Sequence, residues 1–152
     1  MKEIKGNFLG KGKRITIIVS RFNEIISKQL LEGCIDTLKK SGVTDDNISV
    51  IWAPGSFEIP QVLSKLTVNK LDAIIALGAV IRGETPHFDY IASEAAKGIA
   101  RLSQDKKIPV IFGVITADTV EQAVERAGTK QGNKGRDAAL SALEMANIFV
   151  QI

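Results

Sequence analysis

Four short runs of aliphatic and β-branched residues constrain this chain more than any other feature. They cover Ile15–Ser20, Ile48–Ala53, Ala73–Ile81 and Val110–Ile115, and each is apolar almost throughout. A strand that is apolar on both faces must be covered on both faces, which is typical of parallel sheets in α/β proteins. Because segments with helical apolar spacing separate the runs, right-handed crossovers predict a doubly wound α/β domain.

The segments between and after the strands predict five helices. They cover about Asn23–Lys40, Phe57–Val68, His87–Ser103, Thr119–Ala127 and Gly135–Val150. No repeat or linker interrupts the chain, so residues 1–152 are predicted to form a single domain. Residues 1–14 are expected to be an irregular arm or a short edge strand, of a kind often ordered by a neighbouring subunit.

Composition narrows the classes of function. A chain of 152 residues can bury a core without disulfides or metals. The net charge of +3 suits a small anionic ligand, but the basic residues are scattered, so we expect no nucleic-acid partner. One cysteine and one histidine cannot build a metal cluster, and Cys34 is expected to pack as an apolar residue. No signal peptide or membrane-spanning run is found, so the expected location is cytoplasmic, away from membranes.

Polar and aromatic residues follow each predicted strand. They are Arg21–Asn23, Pro54–Glu58, Arg82–His87, and Thr116 with Asp118. The carboxyl ends of parallel strands share one edge of the sheet, and ligands bind in the crevice there. The sequence therefore predicts one site assembled from four separate stretches.

The stretch before the third helix carries the clearest chemical signals. His87 is the only histidine, and histidine is the side chain that changes its charge near neutral pH. Thr85 is predicted to cap the helix, with Pro86 in its first turn. The backbone of Gly83–Thr85 would then suit an anion, and Arg82 could add charge. A surface histidine beside a well-capped helix remains the alternative.

Other candidate side chains also have two interpretations. Phe22 and Phe57 fit either core packing or a wall that stacks on a planar ring. Glu58 fits either a partner for ligand hydroxyls or an acid favoured by the helix dipole. Solvated loop or helix-end charges are the plain interpretation of Arg126, Lys130 and Lys134. Phosphate-loop, dinucleotide-binding and serine-nucleophile signatures are missing.

Several motifs, taken together, resemble the lumazine synthase family. They are Arg21-Phe22-Asn23, Pro54-Gly55-Ser56-Phe57-Glu58-Ile59-Pro60, Val80-Ile81-Arg82-Gly83, Pro86-His87-Phe88-Asp89-Tyr90, Phe112-Gly113-Val114, Glu125–Lys130, Gly132–Gly135 and Glu144–Asn147. They occur in the family's order and cover almost the whole chain. The resemblance implies a three-layer, flavodoxin-like domain with a four-stranded parallel sheet in the order 2-1-3-4.

The resemblance also implies a reaction. Ribitylamino-pyrimidinedione, a ribitylaminouracil, would condense with 3,4-dihydroxy-2-butanone 4-phosphate to give 6,7-dimethyl-8-ribityllumazine in riboflavin biosynthesis. Phosphate and water would leave, and neither an organic cofactor nor a metal is implied. His87 would move protons, and Phe22 would stack on the pyrimidine. The remaining implied substrate contacts are Ser56, Phe57 and Glu58 for the ribityl chain, Ala79, Val80 and Ile81 for the ring edge, and Thr85, the backbone around Glu84, and Arg126 for the phosphate.

A further implication is that the site is shared between subunits. Phe112, Arg126 and Lys134 would come from the adjacent chain of a pentamer. The short Gly128–Gly135 segment resembles that of family members that build icosahedral shells of about sixty subunits, and an association with riboflavin synthase is also implied. Glu84 departs from the family pattern, because relatives usually carry a small residue there.

Two other classes of function remain open at this stage. The same pocket could belong to a non-catalytic flavin- or pterin-binding module, and a shell-forming structural role is compatible with either. His87 together with Arg126 favours the enzyme, because flavin binding requires neither a base nor a phosphate clamp.

Overall fold

The four predicted strands form one parallel sheet. The structure of the protein is a computed structural model that describes residues 1–129 and 132–152. Strands β1 (Ile15–Ser20), β2 (Ile48–Ala53), β3 (Ala73–Ile81) and β4 (Val110–Ala117) pair in the order β2-β1-β3-β4. This confirms the predicted strand order, and β4 continues two residues further than expected, so Thr116 lies inside the strand.

The helices also follow the predicted order. They are α1 (Glu24–Lys40), α2 (Ile59–Lys65), α3 (His87–Asp105), α4 (Val120–Val124) and α5 (Lys134–Phe149), with single 3₁₀ turns at Asp45–Asn47 and Ser56–Glu58. In the part of the chain that the structure describes, none of them has the length and apolar character needed to cross a lipid bilayer.

Two helices are shorter than the sequence predicts. Helix α2 ends at Lys65 because Leu66 is extended, and Lys106 Nζ donates to the Leu66 carbonyl at 2.8 Å. That lysine satisfies a terminal carbonyl which would otherwise favour another turn. Helix α4 ends at Val124, and the chain continues as a wide turn over Glu125–Thr129, in which Gly128 has φ 125°.

Two apolar layers cover the sheet. Ile15, Ile17 and Val19 of β1 belong to the core beneath α1 and α5, whereas Ile18 faces the core beneath α2 and α3. Strand β3 alternates in the same way, since successive side chains of a strand point to opposite faces. Each central strand is therefore buried on both sides.

The order of the strands places a crevice between β1 and β3. From β1 the chain crosses to β2 at one edge, and from β3 it crosses to β4 at the other. The two connections leave in opposite directions, which opens a crevice at the carboxyl ends of these neighbouring strands. This is the predicted location of the site.

The N-terminal arm contains no strand within residues 1–10. It lies along the last helix of its own chain, where Asn147 Nδ2 donates to the carbonyls of Asn7 and Leu9, both at 3.0 Å. Gln151 Nε2 donates to the Lys5 carbonyl at 2.9 Å. The arm is thus irregular, and its middle part is held by its own domain.

Helices α1 and α5 approach each other closely where α5 begins. A Cβ atom added to Gly135 would collide with the backbone carbonyl of Leu30 in α1. Asn133 holds the same junction: its Oδ1 accepts from the N–H groups of Gly135 and Arg136, and its Nδ2 donates to the Gln29 carbonyl at 3.1 Å. The start of α5 is therefore fixed against α1 by backbone contacts.

We expect Gly135→Ala to lower the free energy of unfolding by about 1–3 kcal/mol, because the added methyl group must displace backbone rather than a flexible side chain. Gly83→Ala is the matched control, since no described atom lies within 4 Å of an added Cβ there. Denaturant unfolding of both variants measures the difference. Equal stability of the two variants would contradict the close approach.

Candidate active site

A groove of about 540 Å³ lies at the crevice between β1 and β3. Its walls come from the turns after β1, β2 and β3 and from the first turns of α3. The site residues that the sequence predicts and the groove brings together are Phe22, Ser56, Phe57, Glu58, Ala79, Val80, Ile81, Thr85 and His87. Residues from the first three of the four predicted stretches thus line one concave surface.

Phe22 stands on a fixed backbone beside this groove. Its N–H donates to the Pro54 carbonyl at 3.1 Å, which continues the β1–β2 pairing beyond the strands. The next residue, Asn23, has the left-handed backbone angle φ 60°, and its Nδ2 donates to the Ala79 carbonyl at 3.1 Å. Although its backbone is fixed in this way, Phe22 remains 72% exposed, so its ring is available to stack on a ligand.

Phe57 is also exposed, at 47%, so neither phenylalanine belongs to the buried core. It lies in the 3₁₀ turn Ser56–Glu58, at the mouth of the groove. A Cβ atom on Gly55 would lie 2.9 Å from Glu58 Oε2, so the carboxylate of Glu58 folds back over Gly55. The groove therefore combines two exposed aromatic rings with an acidic side chain.

Two buried hydroxyl groups meet beneath the floor of the groove. Ser20 and Ser56 are 0% and 4% exposed, and within the described residues neither Oγ has a hydrogen-bond partner. A Cβ atom on Gly78 would collide with Ser20 Oγ and would lie 2.8 Å from Ser56 Oγ. Gly78 thus makes room in β3 for both hydroxyl groups.

His87 begins α3, and its side chain is exposed at the groove. The prediction that Thr85 caps this helix is wrong, because Pro86 occupies the N-cap position. Thr85 lies one residue outside, and its Oγ1 accepts only a long hydrogen bond of 3.4 Å from the His87 N–H. The Asp89 N–H already donates to the Pro86 carbonyl at 3.1 Å, whereas the Thr85 hydroxyl can still donate to an anion.

Two charged residues near this turn do not lie where an anion would bind. Arg82 Nε donates to Asp118 Oδ1 at 2.8 Å, and this hydrogen bond raises the pKa of Arg82. Because its charge is paired, Arg82 does not supply free positive charge as the sequence had suggested. Glu84 is exposed in the same turn but does not line the groove.

The remaining predicted site residues line a second recess, of about 350 Å³, along β4 and the start of α5. Phe112 is 47% exposed there, Arg126 Nη1 donates to the Thr116 carbonyl, and Lys134 Nζ lies 3.5 Å from Asp137 Oδ2. No residue lines both this recess and the groove. Lys130 lies outside the described residues.

Cys34 is not a candidate nucleophile. It is fully buried in the core beneath α1 and α5, as the sequence predicts, and burial raises the pKa of its thiol to about 12. Only the thiolate is reactive, so this side chain is inert at neutral pH. The residues that the structure describes contain no group of three His, Cys, Asp or Glu side chains placed to hold a metal ion.

Sequence reasoning assigned no role to two asparagines that shape the site. Asn23 fixes Phe22 and the end of β3, whereas Asn133 Nδ2 donates to the Ala127 carbonyl at 2.8 Å and so holds the segment that carries Arg126. Asparagine before a predicted helix is a usable signal, because it is favoured at N-caps and tolerates the left-handed region. Its tertiary partner is not visible from spacing.

The fold and the groove define a flavodoxin-like α/β domain with a candidate small-molecule site at the point where the strand order reverses. The family model for 6,7-dimethyl-8-ribityllumazine synthase matches residues 12–149, and the chain belongs to that family. Membership supports a lumazine synthase role in riboflavin biosynthesis, in an enzyme family of the transferase type.

Proposed function

We propose that this chain condenses 5-amino-6-(D-ribitylamino)uracil with 3,4-dihydroxy-2-butanone 4-phosphate to form 6,7-dimethyl-8-ribityllumazine, with release of phosphate and water. The observation that carries the proposal is the groove itself. It places an exposed aromatic ring, a polar turn, a helix start and the only histidine around one cavity, in a member of the lumazine synthase family.

The pyrimidine substrate occupies the part of the groove next to β1 and β2. Its flat ring stacks on Phe22, whose backbone is already fixed, so little freedom is lost on binding. The strand end Ala79–Ile81 contacts the ring edge, and the turn Ser56–Glu58 receives the ribityl hydroxyls. Glu58 is half-buried and lines the groove, so its carboxylate is suited to accept from these hydroxyls, whereas Ser56 Oγ is buried beneath the floor.

The phosphate of the second substrate binds at the start of α3. The Thr85 hydroxyl and the Thr85 N–H favour a negative charge there, and the dipole of α3 adds to them, although Pro86 has no N–H to donate. Glu84 is exposed and does not line the groove. Arg126 of a neighbouring chain completes the phosphate site.

His87 acts as the general acid–base group. Imine formation between the amine of the pyrimidine and the ketone of the butanone requires a proton for the oxygen that leaves as water. Elimination of phosphate requires removal of a proton from the carbon chain of the butanone and donation of a proton to the leaving phosphate. His87 lines the groove, and its imidazole can both accept and donate a proton. It follows Thr85 by two residues, so the proton donor and the phosphate site share one turn of chain.

A site shared between subunits accounts for the second recess. Phe112, Arg126 and Lys134 are exposed and lie apart from the groove of their own chain. If this recess faces the groove of the next subunit, the contact is head-to-tail, and repetition around an axis closes a ring. We propose a pentamer as the active unit, assembled into an icosahedral shell.

The direct test is incubation of the purified protein with both substrates while lumazine absorbance and fluorescence are recorded. We expect product to form with release of phosphate. Tight binding of riboflavin without any turnover would instead identify a flavin-binding module and would refute the proposed reaction.

We expect His87→Ala to lower kcat by about 10²–10⁴, because a positioned acid–base group is lost, while substrate positioning preserves part of the rate. Steady-state kinetics gives kcat, and fluorescence titration gives the affinity for the pyrimidine, which should change little. An unchanged kcat would eliminate the acid–base role.

We expect Arg126→Lys to raise KM for the butanone phosphate more than KM for the pyrimidine. Guanidinium contacts a phosphate through two parallel hydrogen bonds, which the ammonium group of lysine cannot reproduce. Arg101→Lys, at an exposed arginine of α3, serves as the matched control. Equal increases of both KM values in the Arg126 variant would count against phosphate binding.

We expect light scattering and electron microscopy to show pentamers assembled into a closed shell. A particle with the mass of five chains would retain the shared site and reject the shell. A fully active monomer would reject both, because Arg126 and Lys134 could then not complete a neighbour's groove.

A further inference from the structure

Through its side chain, Arg82 contacts both Asp118, next to β4, and the first turn of α3. It is the first residue after β3, and its backbone N–H donates to the Ala117 carbonyl at 2.8 Å, next to the end of β4. Its side chain donates from Nε to Asp118 at 2.8 Å. Asp118 is itself held, because its N–H donates to Gln122 Oε1 at 2.9 Å. One end of this network is therefore anchored on β4 and α4.

The other end of the network reaches the first turn of α3. Arg82 Nη1 lies 3.7 Å from Asp89 Oδ1, and the guanidinium carbon lies 4.5 Å from the centre of the Phe88 ring. A cation held over an aromatic face is attracted by the ring quadrupole. Phe88 and Asp89 directly follow His87, so Arg82 contacts the helix at the two residues next to the proposed acid–base group.

The backbone between Arg82 and His87 has few anchors of its own. Residues 83–86 are exposed and belong to no helix or strand, and a Cβ atom added to Gly83 would meet nothing within 4 Å. The long hydrogen bond from the His87 N–H to Thr85 spans only two residues. The Arg82 side chain connects the start of this segment directly to helix α3, which follows the segment.

We propose that Arg82 is a positioning residue that holds the first turn of α3 against the end of β4 and thereby sets His87 and Thr85 at the groove. The role rests on the proposed function, since these two residues are assigned to proton transfer and to phosphate binding. Arg82 itself does not line the groove. Its partners Asp118 and Asp89 neutralise its charge, so its contribution is geometric rather than electrostatic.

The contacts define which kinetic constants should change. Arg82→Gln removes the charge that pairs with Asp118 and Asp89. A displaced His87 would slow proton transfer, and a displaced Thr85 would weaken phosphate binding. The stacking surface on Phe22 lies in another part of the groove and should be unaffected. We expect kcat to fall roughly tenfold or more, since small misplacements of catalytic groups are costly. KM for the butanone phosphate should rise, and KM for the pyrimidine should stay within about twofold.

Three further variants make the comparison specific. Asp118→Asn should reproduce the effect, and the double variant should add little, because both changes break the same bridge. Arg82→Lys should recover part of the rate, since a single ammonium can pair with Asp118 but cannot reproduce the planar contacts. Arg101→Gln, on the distal part of α3, is the matched control and should behave as the wild type.

Hydrogen–deuterium exchange provides a readout that does not depend on activity. Peptides covering residues 83–95 should exchange faster in Arg82→Gln than in Arg101→Gln, while the β1 and β3 peptides stay unchanged. A wild-type protein that makes no lumazine refutes the proposed function whatever the exchange shows. If the wild type is active but Arg82→Gln shows the wild-type kcat and the wild-type exchange, only the positioning role is refuted. The positioning role is also refuted if kcat falls in Arg82→Gln while both KM values and the exchange of residues 83–95 stay unchanged.

Discussion

The two central strands, β1 and β3, are buried on both faces, and the rest of the fold follows from the need to cover them. Covering requires helices on both sides, and parallel pairing requires crossovers. Because β1 connects toward one edge and β3 toward the other, their carboxyl ends are left without a shared crossover. The groove is thus a consequence of how the apolar sheet is covered, and the polar residues after the strands fill an opening that the topology creates.

Three local features of the structure shape that opening into a candidate active site. Asn23 occupies the left-handed region and bonds the end of β3, which leaves the ring of Phe22 exposed but anchored. Gly78 admits two serine hydroxyls beneath the floor. Arg82 ties the start of α3 to β4. Asn23 and Arg82 fix backbone through polar contacts, whereas Gly78 provides space.

The second recess belongs to a different part of the same sheet. It follows the outer strand β4, and its position depends on the junction of α1 with α5 at Gly135 and Asn133. That junction fixes where Lys134 starts its helix and where the segment carrying Arg126 ends. The groove and the recess are therefore both built on one sheet.

The sequence by itself determined the strands, the order of the helices along the chain and the edge at which the site forms, because hydrophobic periodicity is a local property. The strand order 2-1-3-4 followed from the resemblance to the lumazine synthase family. The sequence also marked most groove residues through their place after strands. Only the tertiary structure decided that α2 stops at Lys65, where Lys106 Nζ donates to the carbonyls of Ser64 and Leu66. It likewise decided that the charge of Arg82 is paired with Asp118, 36 residues away. Such outcomes depend on partners that are distant in the chain, and local sequence patterns do not indicate which distant residue will be in contact.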